Sequence, residues 1–328
     1  MYDLLLAADM LVEDLRSGGK HLRDTIGLLY APEWVKSDHM CDEGEDATWA
    51  GWGFESAHCR VSLDLETAPT RVELVSPGRP PDPSLPHSYI QTLYDAQSGR
   101  PVKTHSAPIA VDDVDPLIRR MEKLGLTHRV DEAHDRMPFP RLWAGRNRSD
   151  PGALDLSVDS GLCLEWVPTA SWTALHAEEM ASHAGLVLAL GGGDMLRIDA
   201  RTFLVTDLDD TIKTLQRNFD WAPDKTGESE SGKWARYGFS NPSSAVLEVL
   251  QPNGSSHSRE TSVLAEFGNG PYGMRIVVNG IEEKAASLAE AGTPVELLTT
   301  KRYGDVVRPN PDATLGTAFE FVDVSACV

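Results

Sequence analysis

The sequence repeats one order of elements four times, and this repeat limits the possible folds more than any other feature. In each copy, a hydrophobic run typical of a β-strand ends in a short turn that opens a helix-like stretch. A later strand-like run then carries a glutamate between hydrophobic residues. The opening runs are residues 10–15, 109–114, 203–208 and 276–281, and the closing glutamates are Glu73, Glu165, Glu248 and Glu320. Because repeated units bury their hydrophobic faces against one another, the chain is predicted to contain four copies of one structural unit.

Hydrophobic spacing predicts what each unit contains. After the second opening, Leu117, Met121 and Leu124 follow at intervals of three and four residues, which places them on one face of a helix. Acidic residues at the helix starts suit an N-cap and the positive end of the helix dipole, and Gly125 suits the left-handed position after a helix end. Short β-rich runs separated by turn residues follow each helix. Each unit is therefore predicted to be one strand, one helix and several further strands.

A segment between the second and third units is predicted to divide the chain. It contains an alanine-rich stretch from Trp172 to Leu190, followed by three consecutive glycines at 191–193. We expect the stretch to be mostly helical and to contact both halves. The predicted domains are residues 1–168 for units one and two and residues 198–328 for units three and four, with 169–197 as the linker.

Composition restricts the expected partners. The 328 residues carry 50 acidic and 30 basic side chains, which gives a formal charge of −20. Such a field repels phosphate backbones and anionic lipid, so neither nucleic acid nor a membrane is an expected partner. The start lacks the basic segment of a signal peptide, no apolar run approaches the ~20 residues of a membrane span, and the cysteines show no CxxC spacing. These features predict a cytoplasmic protein, a monomer or homodimer, whose partner is a small molecule.

Four such units in two pairs resemble the vicinal oxygen chelate superfamily, which includes glyoxalase I, type I extradiol dioxygenases and bleomycin-resistance proteins. The matching stretches are Val-Asp-Asp-Val at 111–114, Val-Thr-Asp-Leu at 205–208, Gly-Pro-Tyr-Gly-Met-Arg-Ile-Val-Val at 270–278 and the Gly-x-x-x-Glu strands that hold Glu165 and Glu320. The resemblance covers nearly the whole chain and implies an α+β fold of four βαβββ units in two half-open barrels. It is more specific for architecture than for activity, because such proteins share their fold far more than their chemistry.

The resemblance also implies where a metal ion would lie. In this superfamily a metal commonly sits inside the barrel, on one residue from the first strand of each unit and on closing glutamates. Glu320 matches such a glutamate, but the usual first-strand histidine is replaced by Asp199 or Ala200 in unit three and by Met274 in unit four. A thioether is a poor ligand for Zn, Mn or Fe(II) in an oxygen-rich site. No metal is therefore favoured in the second half, and no other cofactor is expected.

The first half offers the better ligand set if a metal is bound. There the matching first-strand positions hold Ala7 or Asp9 in unit one and Ser106 in unit two, next to His105. A shift of one residue in strand register would turn His105 from the outer face to the inner one. In that case His105, Asp9 and Glu165 would be the ligands of a Fe, Mn or Zn ion.

The functional pocket is expected in the second half, which has the shorter and more regular units. Glu320 and Tyr237 are the predicted catalytic residues. An apolar pocket would raise the pKa of Glu320, which would make this residue a general acid–base beside a carbonyl or phenol. The predicted substrate-binding residues are Met274, Arg236, Arg275, Tyr272 and Phe239. Together with the resemblance, these residues favour an enzyme of the glyoxalase or dioxygenase type that acts on a small carbonyl or aromatic compound. Such an enzyme would be a lyase, an isomerase or a ring-cleaving enzyme. The alternative is a protein that sequesters a small molecule without catalysis, as bleomycin-resistance relatives do.

Overall fold

The computed structural model describes residues 1–38, 54–62, 64–77, 89–133, 139–147, 150–174, 177, 194–255 and 258–327. The strands of the first half are β1 Tyr2–Leu5, β2 Ala7–Leu11, β3 Val35–Asp38, β4 Phe54–Cys59, β5 Arg71–Pro77, β6 Ala107–Val111, β7 His128–Asp131, β8 Arg141–Ala144, β9 Arg146–Asn147, β10 Asp150–Leu154 and β11 Leu164–Pro168. Those of the second half are β12 Met195–Leu204, β13 Lys225–Ser229, β14 Gly232–Tyr237, β15 Val246–Pro252, β16 Gly270–Val278, β17 Val295–Thr300, β18 Gly304–Pro309 and β19 Ala318–Asp323. The α-helices are Leu15–Ile26, Tyr89–Ala96, Asp115–Leu124, Leu208–Phe219, Arg259–Phe267 and Ile281–Glu290, and the 3₁₀ helices are Pro32–Trp34, Pro311–Thr314 and Val324–Cys327.

The predicted repeat is present in the structure. Each unit runs strand, helix and three main strands, and each closing glutamate lies on the last strand of its unit, on β5, β11, β15 and β19. The fold is α+β, with curled sheets that form half-barrels, so the predicted fold class is confirmed.

The second half forms one continuous sheet of eight strands in the order β13-β14-β15-β12-β16-β19-β18-β17. The first strands of its two units, β12 and β16, pair in antiparallel fashion at the centre of the sheet. On either side, each pairs in parallel with the closing strand of its own unit. This order brings both closing glutamates and both first strands to the middle of one curved surface.

The first half differs because its first strand is divided at Leu6. The segment Tyr2–Leu5 pairs with β6 in a five-stranded sheet, whereas Ala7–Leu11 pairs with β5 in a separate four-stranded sheet. The backbone N–H of Leu6 donates to the carbonyl of Pro108 at 2.8 Å, so the division lies against the second unit. Units one and two therefore form two main sheets that share one N-terminal segment, beside the two-stranded sheet of β9 and β10.

Local sequence explains the helix boundaries. The side chain of Asp14 accepts from the backbone N–H of Ser17 at 2.8 Å, and that of Asp207 accepts from Asp210 at 2.9 Å, as N-caps do. The helix Asp115–Leu124 ends at Gly125 with φ of 63°, a left-handed conformation that glycine adopts without steric cost. These caps confirm the helix starts and the helix end predicted from the acidic residues and the glycine.

The two halves pack closely against each other. The buried guanidinium of Arg201 donates to the carbonyl oxygen of Asp9 at 2.9 Å and to that of Gly273 at 3.4 Å. The guanidinium of Arg100, from the first half, donates to the carbonyls of Phe267 and Asn269 at the end of the helix Arg259–Phe267. Arginine side chains thus donate to backbone carbonyls across the junction between the halves.

The predicted linker falls mostly outside the described residues, as do the three glycines at 191–193. Residues 169–174 are helical, and the half-buried ring of Trp172 packs with Phe139 and under the guanidinium of Arg71. The domain boundaries remain a prediction. In the described part of the chain, no helix has the length and apolar character needed to cross a membrane.

Candidate functional site

The second half contains a cavity of about 720 Å³. Its wall includes the apolar and aromatic side chains of Trp234, Leu250, Tyr272 and Val306. Charged side chains from β15, β16, β18 and β19 also line it, together with others such as Arg259 and Arg302 from outside these strands. The cavity therefore combines an apolar wall with convergent charged groups, which is the usual composition of a small-molecule site.

The guanidinium of Arg275 lies at the centre of these charges. Its Nη2 donates to Oε1 of Glu248 at 2.9 Å, its Nε to Oε2 of Glu320 at 3.2 Å and its Nη1 to Oδ2 of Asp199 at 3.3 Å. The hydroxyl of Tyr303 accepts from Nη1 at 2.8 Å, and the Tyr303 ring lies 4.2 Å from the guanidinium carbon. With 5% of its side chain exposed, Arg275 is a buried cation held by three carboxylates.

Three further arginines approach the same carboxylates from the outside. Arg236 donates to Asp199 at 2.7 Å, and Arg302 donates to Glu248 at 2.8 Å. Arg308 donates through Nε to Oε1 of Glu320 at 2.9 Å. Each carboxylate therefore pairs with at least two guanidinium groups, which is the arrangement that makes buried ion pairs tolerable.

Strand register explains why these residues meet. Arg275 on β16 is the register partner of Glu320 on β19, and Arg236 on β14 is that of Glu248 on β15. Opposite charges at directly paired positions stabilise a sheet. Asp199 lies at an irregularity in the β12 pairing, between Ile198 and Ala200.

These contacts determine the protonation of the carboxylates. Burial alone would raise the pKa of Glu248, but the charges of Arg275, Arg302 and Arg236 lower it to about 2. Burial likewise opposes ionisation of Glu320, but Arg275 and Arg308 lower its pKa below the ordinary value. The expectation that an apolar pocket raises the pKa of Glu320 is therefore wrong, because two guanidinium groups contact this carboxylate.

The structure brings four of the predicted site residues to the cavity. Glu320, Arg275, Tyr272 and Met274 line it, although the Met274 side chain also belongs to the hydrophobic core and is 1% exposed. Arg236 lies beside the cavity, where it pairs with Asp199.

Tyr237 and Phe239 do not line the cavity. Their rings pack against Trp221, at centroid distances of 4.8 and 5.8 Å, on the other side of the sheet from Trp234. Side chains alternate across a strand, so Tyr237 cannot share a face with Trp234 on β14. The predicted placement of Tyr237 and Phe239 in the pocket is therefore wrong.

Several residues of this site carry little signal in the sequence. Asp199 and Glu248 stand out there only as positions in the repeat, and Arg302, Tyr303 and Arg308 match no motif. Arg308 lies on a strand-like run after Val306, so its alternation with that residue carries some signal. Arg302 and Tyr303 belong to a turn, where no periodicity indicates which side chains point inward.

The first half gathers its own buried ionisable groups. Oδ1 of Asp9 accepts from the Thr104 hydroxyl at 2.7 Å and from the His105 backbone N–H at 2.5 Å. Nδ1 of His105 lies 3.9 Å from Oδ2 of Asp9, and the Ser106 hydroxyl donates to Glu165 at 2.8 Å. The structure therefore brings together the three residues predicted as alternative metal ligands.

The charge states of this cluster follow from burial. Burial, together with the charge of Glu73, raises the pKa of Asp9 to about 7. Burial raises that of Glu165 to about 7 as well, although Arg141 opposes the shift. Burial and the charge of Arg146 hold the pKa of His105 well below its ordinary value.

Contacts to other groups already involve the carboxylates of both halves. In the second half, the carboxylates that would be ligands already bind Arg275. In the first, Glu165 accepts from Ser106 and has Nη1 of Arg141 3.9 Å from its Oε1. Among the residues that the structure describes, no three His, Cys, Asp or Glu side chains converge as metal ligands do.

Comparisons with known proteins support the fold. No family model matches the chain, and no curated protein sequence matches it. A mutant of 4-hydroxymandelate synthase from Streptomyces coelicolor superposes over 98% of this chain and 92% of its own, with a TM-score of 0.54 and 12% identity. Methylmalonyl-CoA epimerase from Mycobacterium tuberculosis covers 40% of this chain and 91% of its own, with a TM-score of 0.37 and 16% identity, which is too distant a likeness to support an argument. The whole-length likeness shows that the chain has a glyoxalase/dioxygenase-like fold.

Proposed function

We propose that the protein binds a small organic molecule in the cavity of its second half, without a metal ion, as a sequestering or carrier protein. The observation that supports this proposal is the position of the Arg275 guanidinium among Asp199, Glu248 and Glu320. These carboxylates come from the strands whose counterparts hold the metal in the superfamily that the sequence resembles. An internal cation therefore takes the role that a metal ion has there, that of neutralising the carboxylates.

The same contacts argue against a strong catalytic base. A general base works best when its pKa is near the working pH. The pKa of Glu248 is about 2 and that of Glu320 is lowered, so both carboxylates are ionised, paired and only weakly basic at neutral pH. The cavity instead offers fixed charges and an apolar wall, which position a ligand without transforming it.

Metal titration tests the proposal. The purified protein is dialysed against Zn²⁺, Mn²⁺ or Fe²⁺ and its metal content measured, alongside the Glu248→Gln and Asp9→Asn variants. We expect no stoichiometric metal that depends on Glu248. One equivalent of metal that Glu248→Gln abolishes and Asp9→Asn retains would contradict the proposal. Metal lost only in Asp9→Asn would lie in the first half and would leave the second-half cavity metal-free.

A metal-free enzyme is the second candidate. It is favoured by the exposure of Glu320, whose side chain is 22% accessible and lines the cavity. A ligand that draws Arg308 away would leave Glu320 with one fewer cation and so a higher pKa. If Glu320 transfers the proton, Glu320→Gln lowers turnover roughly 10²-fold or more, whereas the exposed rim variant Glu296→Gln does not. Unchanged turnover in Glu320→Gln would exclude this role.

A further inference from the structure

Taking the second-half cavity as the binding site proposed above, we infer that its ligand is an organic anion with an apolar body and a single negative charge. The first reason is the charge of the wall. Five guanidinium groups lie in or directly behind it, against four carboxylates, which leaves one positive charge over. The guanidinium groups are those of Arg236, Arg259, Arg275, Arg302 and Arg308, and the carboxylates are those of Asp199, Glu248, Glu260 and Glu320. Two more lining acids, Glu230 and Glu296, are exposed at the rim, where water screens them.

This positive wall is unusual for the molecule as a whole. The chain has a formal charge of −20, so an excess of arginine among the buried and half-buried charges of the cavity does not follow from average composition. Arginines that only stabilised the fold would balance the carboxylates around them. The extra charge is therefore available to a bound anion, in a cavity where desolvation strengthens the attraction.

The second reason is a set of donors without acceptors. The indole N–H of Trp234 is buried, with 7% of the residue exposed, and has no hydrogen-bond partner in the described part of the chain. Nε of Arg259 is also buried without an acceptor there. Both residues line the cavity. Both nitrogens are inaccessible to solvent as arranged, but an N–H group without an acceptor adds positive potential to its surroundings, which favours an anion over a cation.

The third reason is the shape of the apolar wall. The guanidinium carbon of Arg302 lies 3.7 Å from the Trp234 ring centroid, and the same group pairs with Glu248. Stacking and ion pairing hold this planar cation in place, next to Leu250 and Tyr272. A flat apolar group can therefore lie on the wall with its negative charge turned toward the arginines.

Two probes of the same shape test the charge of the ligand. The anion 2-naphthoate and its neutral isostere 2-naphthamide are titrated into the full-length protein by isothermal titration calorimetry. We expect 2-naphthoate to bind at least ~10-fold more tightly, because only the carboxylate pairs with the unbalanced cation. Arg259→Gln removes the arginine of the wall that has no carboxylate partner among the described residues, and it is expected to erase the difference. Arg308→Gln serves as a second variant from another part of the wall. The matched control is Arg119→Gln, which removes the same charge from the exposed surface.

The outcomes separate this inference from the function on which it rests. Equal or tighter binding of 2-naphthamide would overturn the anion inference and leave the binding function standing. A preference for 2-naphthoate that survives both Arg259→Gln and Arg308→Gln in folded protein would also overturn it. Binding of neither probe at millimolar concentration would count against the cavity as a binding site, and so against the proposed function itself.

Discussion

The two halves have the same order of elements, but Glu165 of the first half and Glu248 of the second differ in their protonation. In the second half, the nearest guanidinium nitrogen of Arg275 lies 2.9 Å from Glu248, whose pKa is lowered to about 2. In the first half, Arg141 lies 3.9 Å from Glu165, whose pKa is raised to about 7. Both glutamates close their units. Their position in the repeat therefore does not determine their charge, which depends on the cations that contact each carboxylate.

The halves also differ in the space inside them. In the first, the guanidinium of Arg146 stacks 4.2 Å from the Trp143 ring, and the His105 ring lies 5.0 Å from the same tryptophan. Side chains thus pack over the buried acids. In the second, the space in front of Arg275 remains a cavity. Among the described residues, the buried acids of the first half therefore face packed rings, whereas Arg275 faces open space.

Removing the central cation tests the comparison most strongly. Arg275→Met keeps an unbranched side chain but leaves Asp199, Glu248 and Glu320 without their shared partner. We expect the free energy of unfolding, measured in urea at pH 7, to fall by about 3 to 5 kcal/mol. The exposed variant Arg119→Met should change it by less than about 0.5 kcal/mol. A loss under about 1 kcal/mol for Arg275→Met would mean that the outer arginines alone hold the carboxylates.

The first half should show the opposite dependence on pH. The pKa of Asp9 rises from 3.8 to about 7 on folding, so stability that is present below pH ~4 is lost as the pH rises toward 7. Asp9→Asn cannot ionise and still accepts hydrogen bonds from Thr104 and the backbone. Relative to wild type, it should gain about 3 kcal/mol between pH 5 and pH 8, from two units of pKa at ~1.4 kcal/mol each. Urea midpoints at the two pH values measure this, and a gain independent of pH would contradict it.

A matched pair of hydroxyl deletions gives the smallest effect. Tyr303→Phe removes an acceptor from Arg275, and Ser106→Ala removes a donor from Glu165. Each should cost roughly 1 kcal/mol. The Tyr303→Phe cost should stay constant from pH 6 to pH 8, because its partner is always charged. The Ser106→Ala cost should grow as Glu165 ionises, and identical pH profiles for the two variants would remove the contrast between the halves.

Sequence periodicity is sufficient to predict the units but not all of their pairing. The helix and strand patterns are local, so hydrophobic spacing alone places the closing glutamates on strands. The division of the first strand at Leu6 has no such local signal. It depends on which distant strand, β5 or β6, each part of that segment meets.

The sequence likewise predicts only part of the candidate site. Alternation along β14 correctly separates Trp234 and Arg236 from Tyr237. Alternation does not show which face of β14 is concave. A position of Tyr237 in the pocket is therefore compatible with the sequence pattern, although in the structure its ring belongs to the core. The effect of Arg308 on Glu320 depends on a contact between strands, and the apolar neighbours of Glu320 in the sequence predict the opposite shift in pKa.

Arg201 joins the two clusters described above. Its guanidinium donates to the backbone of Asp9 in the first half and of Gly273 in the second, two residues before Arg275. Burial lowers its pKa to about 10, and the charge of an ionised Asp9 opposes this shift. Ionisation of Asp9 therefore adds an electrostatic attraction across the contact between the halves, beside the hydrogen bonds that Arg201 donates to backbone carbonyls in either state of Asp9.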